Sequence, residues 1–418
     1  MNVLFLHQNF PGQFVHLARA FKRMPGVRVF AITDAANTQP DFVPTLRYRV
    51  RQAASGQPHP LAATFSGRVA RGERAARAML ALRQRGFTPD LVIGHLGWGE
   101  TLFVRDVWPD AKLVVHAEYY YDAERGDVGF DPEFDRLADP DERFAVRAKN
   151  AAMLMAITDA DYGVAPTKWQ GSRFPPLLRK KIAILHEGID TDLAAPRPEA
   201  RFAVPQTDII LTEQDEVVTF VNRNLEPYRG YHIFMRALPE ILAARPAARA
   251  VIVGGDGVSY GKAAPDGASW KAVFLDETRE RLPMDRVHFV GKLRYPDLLD
   301  LLRVSSAHVY LTYPFVLSWS MLDAMSVGAL VIGSRTAPVE EVIRHGENGL
   351  LVEFFDPATL ALAVIDALSD PARYRLLRDS ARATIVERYD MRRVCLPKWL
   401  AFLAFTTGQQ FSQQSAEI

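Results

Sequence analysis

Short β-branched runs alternate along the chain with longer stretches whose apolar residues recur every three or four positions. That is the pattern of parallel strands laid side by side and covered by helices. In the first half the strand candidates are residues 3–6, 27–32, 91–93, 112–116, 162–165 and 182–186. Between the first two, residues 14–23 place Phe14, Leu17, Ala18 and Phe21 on one helical face. The second half repeats the scheme, with strands at 216–221, 250–253, 286–290, 308–311 and 330–332 and helices at 231–244, 295–303, 321–327 and 339–345. The expectation is an α/β fold of two Rossmann-like domains with a cleft between them. A Pro-rich segment near 190–200, poor in large apolar residues, reads as the linker. It sets the domains at 1–195 and 196–390. The helical stretch 371–405 is long enough to break, so that residues 391–418 form a C-terminal helix returning to the first domain and a polar tail from Gln409.

Composition narrows the class. A chain of 418 residues, 48% apolar and 24% charged, is neither disordered nor fibrous. Lys plus Arg total 50 against 49 for Asp plus Glu, so no global field recruits nucleic acid. The first 100 residues, however, carry 13 basic and 5 acidic side chains. Arg68, Arg71, Arg74 and Arg77 recur every third residue there. They make either a solvated helical face or a contact for anionic lipid or a lipid-linked pyrophosphate. The single cysteine, Cys395, excludes a disulfide framework and a cysteine-built metal site. With no basic leader before the first apolar run and no apolar run of membrane-spanning length, the expected location is cytoplasmic, at most peripheral on the inner membrane face.

Open α/β sheets bind ligands beyond the carboxyl ends of their strands, so the loops there carry the functional signal. After the first strand comes His7-Gln-Asn-Phe-Pro-Gly12, where Gly12 suits an anion at a helix N-terminus and equally an ordinary βα turn. Neither the three-glycine dinucleotide fingerprint nor a Walker loop occurs, which disfavours nicotinamide cofactors and ATP hydrolysis. Arg223 and Arg229 follow the first strand of the second half; their planar forks suit a diphosphate, or they are simply solvated. Val253-Gly-Gly255-Asp-Gly allows close backbone approach or a tight turn. Around Leu317-Ser318-Trp319-Ser320 a helix begins, with Ser318 and Ser320 as candidate N-caps beside free amide groups. Asp323, one turn inside an apolar helix, is a carboxylate that needs a partner, such as a ribose diol or a structural donor.

These segments, in this order, resemble the retaining glycosyltransferases of family 4, which have the GT-B fold. The resemblance is carried by Val221-Asn-Arg223, Arg229-Gly230, Val253–Gly257 and Leu322-Asp323-Ala-Met-Ser-Val-Gly328, with looser matches at 182–191 and 337–352. It implies that Arg223 and Arg229 neutralise the diphosphate of a nucleotide sugar. Gly12, Gly255 and the amides of Leu317, Ser318, Trp319 and Ser320 would contact phosphate or sugar. Gly291, Lys292 and Leu293 would embrace the base, and Asp323 the ribose. His116, with Glu118 as the alternative polar group, matches a histidine that faces the transferred sugar, although a core histidine is an equal reading. His95, Trp98 and Tyr120 would meet the saccharide or glycolipid acceptor, unless the aromatics are buried packing. No cofactor is expected beyond a UDP- or GDP-linked donor. No metal is expected either, since Asp190-Thr-Asp192 has the metal-binding spacing but lies in the linker. Two departures stand out: Asp323 replaces Glu, and Phe315 stands where relatives carry the first acid. They keep open a degenerate nucleotide-sugar-binding module, and a nucleotide-sugar epimerase is a further alternative.

Overall fold

In the first strand, β1 (Asn2–Leu6), residues Val3 to Leu6 are all fully buried, and the two-residue period of a strand sorts them onto opposite faces. Val3 and Phe5 join a cluster with Phe10, Phe14, Leu17 and Phe21, while Leu4 and Leu6 join Ala75, Met79 and Leu82 on the other side. A strand buried on both faces belongs in the middle of a parallel sheet covered by helices, and it is there that β1 lies. The remaining strands of this sheet are β2 (Arg28–Asp34), β3 (Thr45–Tyr48), β4 (Leu91–His95), β5 (Lys112–His116), β6 (Tyr162–Ala165) and β7 (Ile182–Ile184). Their order is β3-β2-β1-β4-β5-β6-β7, all parallel.

The computed structural model describes residues 1–50, 58–124, 126–134 and 140–411; most of the expected polar tail falls outside them. The chain forms two units, Met1–Gly188 joined by the segment from Met391 onward, and Ile189–Asp390. After a short antiparallel pair, β8 (Arg201–Ala203) and β9 (Ile210–Thr212), the second unit builds its own parallel sheet. Its strands are β10 (Val217–Asn224), β11 (Arg249–Gly255), β12 (Val287–Gly291), β13 (Ala307–Tyr310), β14 (Val331–Ser334) and β15 (Leu350–Val352). They run in the order β12-β11-β10-β13-β14-β15.

The chain enters the second unit at Ile189, earlier than the expected 195, because the Pro-rich segment is clamped there rather than free. Ile189 N–H donates to Tyr389 O at 2.8 Å, and Arg303 donates to the carbonyls of Leu193 and Ala195 at 2.6 and 2.8 Å. An extended segment has unpaired carbonyls, and a neighbouring arginine satisfies several at once. The long C-terminal stretch breaks into the helices Arg375–Tyr389 and Leu396–Thr407. The second of these buries Leu396, Trp399, Leu400 and Leu403 in the same cluster as Val3 and Phe5, closing one face of the first sheet. At roughly 1.5–3 kcal/mol per fully buried large apolar side chain, this return stabilises the first unit substantially. The helix expected at 339–345 is only the turn Ala337–Glu340. Asn348 Oδ1 accepts from Arg344 N–H at 2.7 Å and His345 Nδ1 from Leu351 N–H at 3.0 Å, drawing the chain out of helix.

Candidate active site

In the second sheet the strand order reverses at β10, with β11 and β12 on one side and β13 to β15 on the other. Such a switch point opens a crevice at the carboxyl ends of the strands. β10 runs past the expected end at 221, through an irregular register between Val221 and Asn224. Arg223 therefore lies on the strand's last turn of chain, exposed, with no hydrogen bond or ion pair to its side chain among the described residues. Beside it, a Cβ on Gly255 would lie 2.6 Å from Asn224 Oδ1 and 2.8 Å from Lys292 Cε, so a larger residue would push these side-chain ends aside. Lys292 follows Gly291, the last residue of β12. The edge thus gathers Arg223, Asn224, Gly255 and Lys292.

Arg229, read from the sequence as facing a diphosphate or solvent on the same loop, is buried. Its guanidinium donates to Thr312 Oγ1 at 2.7 Å and Val316 O at 2.8 Å, and lies 5.0 Å from the Tyr260 ring centre and 5.6 Å from that of Phe315. Aromatic faces and internal acceptors can hold a buried cation. Phe315 is buried in the same nest, 5.2 Å from Tyr228 and 5.1 Å from Tyr260. The loop carrying Tyr260 is pinned from below by Glu226, fully buried, whose carboxylate accepts from Ser259, Tyr260 and Gly261 N–H at 3.1–3.3 Å. Asn224 adds a bond to Ser259 Oγ at 2.6 Å.

Beyond β13 the helix Trp319–Ser326 begins. Ser318 occupies the N-cap position, but its side chain does not cap; its Oγ pairs with Ser320 Oγ at 2.9 Å, and its N–H donates to Tyr310 Oη at 2.8 Å. The first-turn amides after it have no side-chain cap and point to where an anion would sit. Trp319 is exposed, while Leu317 and Leu293 pack half-buried against the apolar cluster that holds Met321, Leu322, Ala324 and Met325. Asp323 lies within that helix at 3% exposure, bonded to Tyr295 Oη at 2.9 Å. Burial pushes its carboxyl up to about 7, against the opposing pull of the Tyr295 bond. A raised pKa means that folding favours the protonated acid. Its stabilising contribution is therefore present below the ordinary carboxylate range and lost as pH rises towards 7. Asp323→Asn, which cannot ionise, is expected to gain stability relative to the parent between pH 5 and pH 8. Thermal melting at the two pH values measures this, and an unchanged difference would contradict the raised pKa.

In the first sheet the order reverses between β1 and β4. His7 follows β1, His95 and His116 end β4 and β5, and Glu118 follows. Gly12 has φ +47°, and a Cβ there would meet the His7 ring at 2.6 Å, so the turn needs glycine for both reasons. Glu118 accepts from His95 Nε2 at 3.2 Å and Gln13 Nε2 at 2.9 Å. Burial raises its pKa, but these donors and the nearby imidazoles outweigh it and hold the carboxyl at about 2. Burial, helped by His95, keeps His116 neutral with a pKa of about 3; among the described residues neither ring nitrogen has a hydrogen-bond partner, and Nε2 lies 3.4 Å from Glu187 Oε1 out of alignment. The Trp98 ring, half-buried, stacks on His95 at 5.3 Å, and Tyr120 packs on Phe174 at 5.5 Å.

His95, His116 and Glu118 have the spacing of a metal site, yet the protonation pattern opposes it. His95 Nδ1 accepts from Gly97 N–H at 3.0 Å, which leaves the ring hydrogen on Nε2, the atom that faces Glu118. A ligating imidazole has the reverse arrangement, with its remote nitrogen donating. The basic row at 68–77 divides: Arg68 is buried against Lys149 O and Arg71 donates to Trp98 O, while Arg74 and Arg77 pair with Glu73 at the surface. Sequence reasoning missed Glu226 and Tyr295. Both stand in the quoted segments or next to them, but nothing in their spacing announces partners about thirty positions away.

Two family descriptions match the chain: Glycosyl transferase family 4 group over residues 25–194, and Glycosyl transferases group 1 over residues 207–384. A D-inositol 3-phosphate glycosyltransferase of Rhodococcus opacus (strain B4) is 31% identical over 192 residues, covering 46% of this chain and 41% of that protein. The chain thus spans less than half the length of this relative. Among solved structures, Anabaena Alr3699/HepE in complex with UDP superposes with a TM-score of 0.67 at 18% identity, covering 97% of this chain and all of that one. Sucrose-phosphate synthase of Thermosynechococcus elongatus gives 0.72 at 17%, covering 98% and 100%. Identities this low speak to the fold alone: two Rossmann-like domains of the GT-B class.

Proposed function

Because the chain belongs to the glycosyltransferases of family 4, group 1, we propose that it moves a glycosyl unit from a nucleoside-diphosphate sugar to a saccharide or lipid-linked saccharide acceptor, with retention and without a metal ion. The observation that carries the reading is the edge at β10, where Arg223, Asn224, Gly255 and Lys292 gather. Leaving-group departure breaks the bond between the anomeric carbon and the phosphate oxygen, and the diphosphate keeps the electron pair. The acceptor oxygen bonds to the same face of the anomeric carbon and gives its proton to the departing phosphate. Charge develops on the diphosphate, so fixed cations and amide dipoles aimed at it lower the barrier. Arg223 and Lys292 are the two exposed cations suited to this. Arg229, whose Nη1 already serves Thr312 and Val316, also shapes the loop. The UDP bound by HepE favours a uridine donor.

In the first unit, Glu118 stays ionised at neutral pH and half-open to solvent, a fixed acceptor for hydroxyl groups, beside the neutral His116. Trp98 offers an apolar face for an acceptor sugar. Contact with an anionic membrane would fall to Arg74 and Arg77, since Arg68 and Arg71 are engaged inside. No helix among the described residues is long and apolar enough to cross a membrane.

The test is nucleotide release from UDP-, GDP-, ADP- and dTDP-sugars by purified protein, with and without oligosaccharide or glycolipid acceptors. One donor should be consumed, faster with acceptor, with the product anomer unchanged by NMR and full activity in EDTA. Binding without release would point to the degenerate module that Phe315 first suggested.

A further inference from the structure

Three donors from three separate elements converge on Glu118. Gln170 Nε2, on the helix Lys168–Ser172, donates to its backbone carbonyl at 2.7 Å. Gln13 Nε2, on the turn Gly12–Phe14, donates to Oε1 at 2.9 Å, and His95 Nε2, at the end of β4, to Oε2 at 3.2 Å. His95 is itself locked. Gly97 N–H donates to its Nδ1 at 3.0 Å, which leaves the ring hydrogen on Nε2, and its ring lies 5.3 Å from both the Trp98 and the His116 rings. At 2% exposure His95 offers no face to a substrate, whereas 26% of the Glu118 side chain is open. The other titratable groups around the carboxylate are His7, after β1, and His116, at the end of β5, both kept neutral by burial. Beyond His116 lie Glu187, 3.4 Å from its Nε2, and His186, also neutral through burial.

Resting on the reading of Glu118 given above, we propose that His95 and Gln13 are positioning residues, which keep Glu118 ionised and aim its outward lone pairs at a hydroxyl of the acceptor. His95 thus acts on the reaction through Glu118 and not by touching the saccharide. A carboxylate with one fixed donor on each oxygen cannot swing, and each donor favours the charged form over the acid. Without these donors burial alone sets the balance, and burial favours the acid. The carboxylate would then take up its proton, and lose its acceptor role, at a higher pH than in the parent.

The experiment is a carbon-13 NMR titration of the full chain, carrying carboxyl-labelled glutamate, from about pH 8 to about pH 4, with the Glu118 signal assigned from Glu118→Gln. It runs beside the pH profile of acceptor-dependent nucleotide release. The parent signal should stay that of a carboxylate throughout. Gln13→Leu/His95→Leu should raise the midpoint by about two to four pH units, one to two for each donor, and so titrate inside this range. Gln13→Leu/His95→Gln, whose amide nitrogen reaches the place of Nε2, should move about half as far. Turnover should fall at the same pH as the signal in each variant, whereas a purely structural role would lower it alike at every pH. Gln13→Leu alone, a change on a half-buried turn, serves if the double variants do not fold; its signal should begin to protonate near the acid end. If these variants keep the parent curve, or the parent itself titrates inside the range, the proposal is wrong and the reading of Glu118 stands or falls separately. If Glu118→Gln turns over acceptor as fast as the parent, that reading falls and takes this proposal with it.

Discussion

Arg223→Ala is expected to lower kcat/KM for the nucleotide-sugar donor by about 10²–10³-fold, the loss typical of removing one preorganised donor from a site where charge develops. The side chain is exposed at the end of β10 and has no internal hydrogen bond or ion pair among the described residues. Its removal should therefore move the melting temperature very little, as for other surface changes. Separation of the two readouts is the point of the experiment. A structural arginine such as Arg229, with donors on Thr312 and Val316, would lose stability first and activity as a consequence. Arg223→Lys should recover part of the rate, because the charge remains while the planar fork is lost. Steady-state kinetics beside a thermal melt decides the matter; an unimpaired Arg223→Ala enzyme would remove this edge from the donor site.

Glu226→Ala is expected to destabilise the second unit by about 3 kcal/mol, the scale for removing one member of a buried charged network. Three backbone N–H groups, from Ser259, Tyr260 and Gly261 on a half-buried loop, end on this fully buried carboxylate, and all three would lose their acceptor. The loss should lower the melting temperature by roughly 10 °C for a unit of this size. Glu226→Gln, which keeps one carbonyl oxygen, should cost less than half as much. Urea unfolding of both variants measures the difference. The loop held by Glu226 carries Tyr260, one of the rings over Arg229, so the alanine variant should also disturb the nest around Phe315. Equal stability of parent and Glu226→Ala would mean that solvent satisfies those amides.

Much of this architecture can be read from the chain itself, and the reason is local. The strands at 112–116 and 162–165 and the helices at 231–244 and 295–303 appear at their expected limits. In these segments the apolar period, the end residues and the burial all agree. Segments without that agreement escaped: Thr45–Tyr48 is a short edge strand with a charged residue in its middle, and the β8–β9 pair sits beside a stretch whose prolines read as linker. The residue types of the candidate site were legible for the same local reason, because glycines and arginines that follow strands mark the carboxyl edge of a sheet.

What the tertiary structure alone decided is which of those side chains face outward. Arg223 and Arg229 are six positions apart with the same chemistry, yet one is exposed and the other lies between aromatic rings supplied by residues 260 and 315. Glu226 and Asp323 likewise take their meaning from residues 259–261 and 295. A side chain's periodicity is set by its neighbours in sequence, but its hydrogen-bond partner and its desolvation are set by whatever the folded sheet brings beside it, and no short window of sequence contains that.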